Sequence, residues 1–194
     1  DFELKSSGMK MGGGAKPFGV DTEQVPDLLQ EIGRSRLAFE GFHLFAGSQN
    51  LRSEAIVDAQ RKCFELAVKL AEAAPAPVKF LNLGGGFGIP YFPGERRIDL
   101  TDIATNLANI TEEARQKFPQ AEIVIELGRY LVGEAGIYVC RVVDKKVSRS
   151  HTFLVCDGGL HHHLSASGNF GINSVFFDCN FCNSSFLGIT STPI

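Results

Sequence analysis

The chain has 194 residues, 44% of them hydrophobic and 21% charged, with a formal net charge of −3. That balance suits a folded domain and excludes an extended basic surface for nucleic acid. No apolar run approaches the ~20 residues that a membrane-spanning helix needs, so neither nucleic acid nor membrane is expected as a partner.

The opening stretch, 1-DFELKSSGMK-10, lacks a signal-peptide core and reads as a chain entered part-way. A helix is predicted over about 22–36, where Val25, Leu28, Leu29 and Ile32 share a face. Pro26 sits near its start, where a missing N–H costs little. Run 40-EGFHLFAG-47 reads as a strand and 52–73 as a helix, with Ile56, Ala59, Cys63, Phe64, Ala67 and Leu70 on one side. Strand 78-VKFLNL-83 follows, then a helix over 100–118 presenting Ile103, Leu107, Ile110 and Ala114, then strand 122-EIVIEL-127. Alternation of this length predicts an α/β fold of parallel strands covered by helices, either a barrel or a doubly wound sheet. After residue 132 the pattern changes. Segments 136–149 and 152–158 are strand-like with no helix between them, which predicts an antiparallel pair opening a β-rich domain. The expected division is 1–132 and 133–194, with the tail 173–194 unassigned because it shows no period.

Metal binding is not expected. The five cysteines are odd in number and irregular in spacing. Only 179-CNFC-182 has metal-like spacing, and a structural zinc site wants a second pair. His161, His162 and His163 are adjacent, and neighbours in extended chain point to opposite faces.

Polar groups gather instead where strands end. After strand 40–46 comes 47-GSQN-50, which offers backbone N–H groups and the Ser48 hydroxyl to an anion. After strand 78–83 comes Gly84-Gly85-Gly86, which fits neither the dinucleotide fingerprint nor a P-loop. Three glycines suggest that something, with phosphate the usual candidate, approaches the backbone closely. After strand 122–126 comes 126-ELGR-129. Glu122, Val124 and Glu126 share a face opposite to Ile123, Ile125 and Leu127, so Glu126 is expected to point into the core of the barrel or sheet. A carboxylate there needs a partner. That partner is either Arg129, in a plain ion pair, or a cationic ring nitrogen. In parallel α/β folds the carboxyl-end rim is where ligands bind. A carboxylate, an arginine, a serine and a glycine turn on one rim suit pyridoxal 5′-phosphate.

The segments 41-GFHLFAGSQ-49, 82-NLGGGFGIPY-91, 126-ELGR-129 and 156-CDGG-159, in that order, resemble the pyridoxal-phosphate decarboxylases of ornithine, diaminopimelate and arginine. The resemblance covers residues of about 1–170. The GIPY ending looks closest to diaminopimelate decarboxylases, while 157-DGGLHHHLSASGNFG-171 looks more like exosortase-associated and secondary-metabolite relatives.

The resemblance implies a (β/α)8 TIM-like barrel of the alanine-racemase type followed by a β domain. Residues 1–132 would be the C-terminal half of the barrel, and 133–194 would begin the β domain. It implies that Ser48, Gly85, Gly86 and Arg129 hold the phosphate, with Gly47, Gly84, Leu127 and Gly128 beside them. Arg129 is also the residue expected to meet the substrate. Glu126 would pair with the pyridinium nitrogen, and Phe45 stands where the family carries a histidine, with His43 two positions earlier. No catalytic residue is assigned. Lys5 lies too near the histidine motif to be the family's Schiff-base lysine, and Cys179 and Cys182 lack the setting of its C-terminal catalytic cysteine. The implied protein is a cytoplasmic, homodimeric amino-acid decarboxylase of which this chain is an internal piece. A non-catalytic binding or regulatory homologue and a racemase using the same cofactor are the alternatives.

Overall fold

The structure, a computed structural model, describes residues 18–91, 94–137, 139–158 and 162. Lys5, Gly159, His161, His163, Cys179, Cys182 and the tail 173–194 lie outside the described residues. The chain divides between Ala135 and Gly136 into two compact units.

In the first unit α1 (Val25–Arg34) is followed by β1 (Gly41–His43), α2 (Ser53–Ala71), β2 (Phe80–Asn82), α3 (Thr101–Lys117), β3 (Glu122–Val124) and α4 (Gly128–Val132). The strands form one parallel sheet in the order β1-β2-β3, with Phe42, Leu81 and Ile123 in register. This is part of an α/β barrel, with each parallel step made through a helix. The strands are shorter than the apolar runs suggest. Single bonds such as Leu83 N–H to Val124 O and Glu126 N–H to Gly84 O carry the pairing slightly further.

One face of the sheet and the inner faces of the helices make the core. Phe42, Leu81, Cys63, Phe64, Ala67, Leu70, Ile110 and Ala114 are all buried in it. Leu81 is fully enclosed, and burying such a side chain contributes roughly 1.5–3 kcal/mol. Burial also pushes the Cys63 thiol up to about 11, which makes it inert at neutral pH.

The helical periodicity errs in particular places. Leu28 is exposed, and Ala59 and Leu107 are only half-buried. Gln60 and Asn106 are buried in their stead, and Asn106 Nδ2 donates to Gln60 Oε1 at 3.0 Å. α2 and α3 pack on one another as well as on the sheet. A residue at that second seam is buried whatever its hydropathy, and here the pair is satisfied only in part, since Gln60 Nε2 finds no partner among the described residues.

The second unit contains β4 (Val142–Ser148) and β5 (His151–Cys156), an antiparallel pair with a register shift between Val142 and Asp144. Arg149 (φ 48°) and Ser150 (φ 69°) form the two-residue turn. Two left-handed residues match the twist of a hairpin, but side chains there carry steric strain. Arg149→Asn with Ser150→Gly is therefore expected to stabilise the full-length protein by ~0.5–1 kcal/mol. The measurement is the denaturation midpoint. A lower midpoint would mean that the turn does not hold this conformation.

Among the described residues no helix is long and apolar enough to cross a membrane. Nor does any group of three or more His, Cys, Asp or Glu stand ready for a metal.

Candidate functional site

The three loops that leave the carboxyl ends of β1, β2 and β3 are fastened to one another through backbone. Asn50 N–H donates to Gly86 O at 2.8 Å, and Gly88 N–H donates to Asn50 O at 2.9 Å, which zips the first loop to the second. Asn50 is buried, and its Oδ1 takes the Arg52 N–H just before α2 begins. The bond from Glu126 N–H to Gly84 O, at 2.8 Å, fastens the second loop to the third. Beneath them Ile56, Phe87, Ile98 and Ile103 form a separate apolar cluster. In it Phe87 meets Tyr130 edge-on, with ring centroids 5.8 Å apart. Polar loops therefore rest on a fixed apolar floor.

The glycine triplet acts mainly within the protein. A Cβ on Gly84 (φ 73°) would come within 2.5 Å of the Leu44 carbonyl oxygen, and one on Gly85 within 2.2 Å of the Glu126 carbonyl oxygen. Those two glycines let neighbouring strand ends lie flush. Gly86, at φ 97°, turns the chain and lines the cleft. The close approach inferred from sequence thus exists, but at Gly84 and Gly85 it is made by protein backbone.

The cleft itself has a volume of about 150 Å³. The first loop lends it Phe45, Ser48 and Gln49, the second lends Gly85, Gly86 and Phe87, and the third lends Glu126, Gly128 and Arg129. Residues drawn from three separate words of the sequence meet on one surface. His43, Gly47, Gly84 and Leu127 are not among its lining residues.

Glu126 is neither buried nor paired with Arg129; its side chain keeps 43% of its exposure. Asn82 Nδ2 donates to Glu126 Oε1 at 2.9 Å, and His43 Nε2 lies 3.1 Å from the same oxygen. Asn82 is itself buried, and its Oδ1 accepts the Gly84 N–H at 2.8 Å. One amide thus ties the carboxylate to the glycine turn. The inward face of β1 and β2 is open among the described residues, with Phe80 38% exposed, which is why the carboxylate meets solvent.

Arg129 turns toward Gln49 and Tyr91. Its Nη1 donates to Gln49 Oε1 at 3.1 Å and to the Tyr91 hydroxyl at 3.3 Å, and the guanidinium lies 5.8 Å from the Tyr91 ring centroid. Among the described residues the cleft consequently holds a guanidinium edge without a partner and a separate carboxylate. Such a surface accepts an anion at one end and a cationic N–H at the other.

Asn82 and Gln49 are the two contributors that sequence reasoning left without a role. Their only signal was position inside 82-NLGGG-86 and 47-GSQN-50. A larger hollow of about 450 Å³ lies between α2 and α3, lined by Glu54, Asp58, Arg61 and Asp102. There Arg61 pairs with Glu113 and Asp58 with Lys62. It lies away from the strand ends and shares none of the site's residues.

Residues 2–133 match the family described as pyridoxal-dependent decarboxylase, pyridoxal binding domain. The chain is 36% identical over 170 residues to the L-glutamyl-[BtrI acyl-carrier protein] decarboxylase of Niallia circulans, covering 86% of this chain and 40% of that protein. It is 33% identical over 138 residues to the diaminopimelate decarboxylase of Thermoplasma acidophilum, covering 71% of this chain and 33% of that protein. The crystal structure of diaminopimelate decarboxylase from Helicobacter pylori complexed with L-lysine superimposes with a TM-score of 0.63 at 27% identity. That match covers 82% of this chain and 39% of the other. The chain therefore spans well under half the length of these relatives.

Proposed function

The chain belongs to the pyridoxal-dependent decarboxylase family, and on that premise we propose that it is part of a longer amino-acid decarboxylase of the diaminopimelate, ornithine and arginine class. Residues 1–132 are then the C-terminal half of its cofactor barrel, and 133–194 begin its β domain. The observation that carries this reading is the meeting of Glu126 and Arg129, unpaired with one another, on one cleft at the carboxyl ends of parallel strands.

The residues present fit pyridoxal 5′-phosphate. Arg129 would supply a cation for the phosphate, beside Ser48 and the backbone of Gly85 and Gly86. Gly47, Gly84, Leu127 and Gly128 are the backbone around that end of the site. Phe45 gives the ring an apolar face to lie against. Bound there, the cofactor supplies an electron-withdrawing ring that takes up the pair left on the α-carbon when carbon dioxide departs. Glu126 would pair with the ring nitrogen and keep it protonated, its Oε1 being already engaged by Asn82 and His43. Asn82 and His43 keep the carboxylate from rotating away. Arg129 can alternatively face the substrate's carboxylate.

No lysine in the described residues stands at this cleft, so the covalent attachment point is expected elsewhere in the full-length protein. The test is to supply that protein with pyridoxal phosphate and follow carbon dioxide release from diaminopimelate, ornithine and arginine. Borohydride reduction and peptide mapping then locate the labelled lysine. Release of carbon dioxide with a label outside this chain supports the reading, whereas a label on Lys5 would show that the catalytic lysine has been misplaced. Binding without turnover would favour a regulatory homologue, and α-proton exchange without carbon dioxide would favour a racemase. A carrier-tethered glutamyl substrate belongs in the panel, because the Niallia circulans relative carries that activity in its name. A cytoplasmic homodimer is the expected state of the whole protein.

A further inference from the structure

We infer that Gln49 is a positioning residue whose carboxamide aims Arg129 into the cleft, an assignment that rests on the anion-holding role proposed for Arg129. A guanidinium on a short rim helix has many rotamers, and ordering it costs entropy that some fixed neighbour must offset. Gln49 is such a neighbour, because both ends of its amide are already engaged. Its Nε2 donates to the Ile89 carbonyl at 2.5 Å, and its Oε1 accepts the Ile89 N–H at 3.2 Å. A side chain held at both ends by the backbone of one residue, Ile89, has little freedom left. The remaining lone pair of Oε1 receives Arg129 Nη1 at 3.1 Å.

The consequence lies in which nitrogens are used. Both hydrogen bonds described for Arg129 employ Nη1, toward Gln49 and toward the Tyr91 hydroxyl. Nη2 and Nε then form the edge of the guanidinium left free among the described residues, the two-pronged donor that suits a phosphate or carboxylate. Gln49 therefore selects the edge that the anion meets.

The backbone points the same way. Gln49 has φ 54°, a left-handed conformation that residues with a Cβ rarely adopt. Glycine would sit there more easily. That a long amide occupies the position is understandable if the side chain has a task, since strained backbone gathers at functional sites.

That strain also supplies a clean variant. Gln49→Gly removes the amide while relieving the backbone, which offsets part of the cost of losing the two bonds to Ile89, and its melting temperature is measured alongside to show that the fold is kept. In the full-length protein, pyridoxal phosphate is titrated by absorbance, without substrate, into Gln49→Gly, Arg129→Ala and the double variant. Gln49→Gly is expected to weaken binding about tenfold, the scale of losing a hydrogen bond to a charged group. Arg129→Ala is expected to weaken it more, and the double variant no further than Arg129→Ala, because Gln49 acts only through the arginine. At saturating cofactor Gln49→Gly should keep kcat within about twofold of the natural protein. Losses that multiply in the double variant would overturn the inference, as would natural affinity in Gln49→Gly when Arg129→Ala is impaired. Natural affinity in Arg129→Ala is a separate failure: it removes the arginine's phosphate role, and the inference with it.

Discussion

Glu126→Ala in the full-length protein is expected to lower the catalytic rate by ~10²–10³, the range for loss of one preorganised electrostatic group. Cofactor retention should change far less. The reasoning is differential. A carboxylate opposite the ring nitrogen would keep that nitrogen protonated, and the proton matters most when the ring must take up the pair left by departing carbon dioxide. On the proposed reading Arg129 would face the phosphate, whose charge hardly changes during the reaction. Arg129→Ala should therefore raise the cofactor concentration for half-saturation, with activity largely recovered at excess. The check is rate against pyridoxal phosphate concentration for both variants. Rescue of Glu126→Ala by cofactor, with none for Arg129→Ala, would show the two roles to be reversed. Glu126 is fastened by Asn82 to the glycine turn and Arg129 by Gln49 to Ile89, so the two charges are held by different anchors and do not neutralise one another.

The parallel sheet and its helices were legible because their signals are local. In α2, Ile56, Cys63, Phe64, Ala67 and Leu70 recur at helical spacing and all reach the core. The hairpin of β4 and β5 was legible from two apolar runs lacking a helix between them. What periodicity could not show was the polar seam of Gln60 and Asn106, since burial there depends on a partner in another helix. The site divided in the same way. Ser48, Gly86, Glu126 and Arg129 were recognisable because charge, hydroxyl and glycine are conspicuous at the end of an apolar strand. Gln49 and Asn82 were not, because a neutral amide has no signature until its partners are known. The choice left open for Glu126, between Arg129 and another partner, turned on side-chain direction over a few ångströms. Residue types alone do not encode that direction.

Gly85→Ala should be the most damaging single-methyl change at the site, costing ~3 kcal/mol or more of stability, the upper part of the range for overpacking. Backbone conformation is not the reason, for Gly85 has no positive φ, unlike Gly84 and Gly86. The reason is contact. The added Cβ would stand 2.2 Å from the Glu126 carbonyl oxygen and 3.3 Å from the Glu126 Cβ. Neither atom is the free end of a flexible side chain, so relief requires the second and third loops to part. Parting them would stretch the bond from Glu126 N–H to Gly84 O and draw the carboxylate away from Asn82. Stability and site geometry should therefore fail together. Gly128→Ala is the control: it lines the same cleft, yet its Cβ would meet nothing within 4 Å. Thermal denaturation and cofactor titration of the two full-length variants decide the matter. If Gly85→Ala melts with Gly128→Ala and binds cofactor equally well, the loops are not packed as closely as this contact requires.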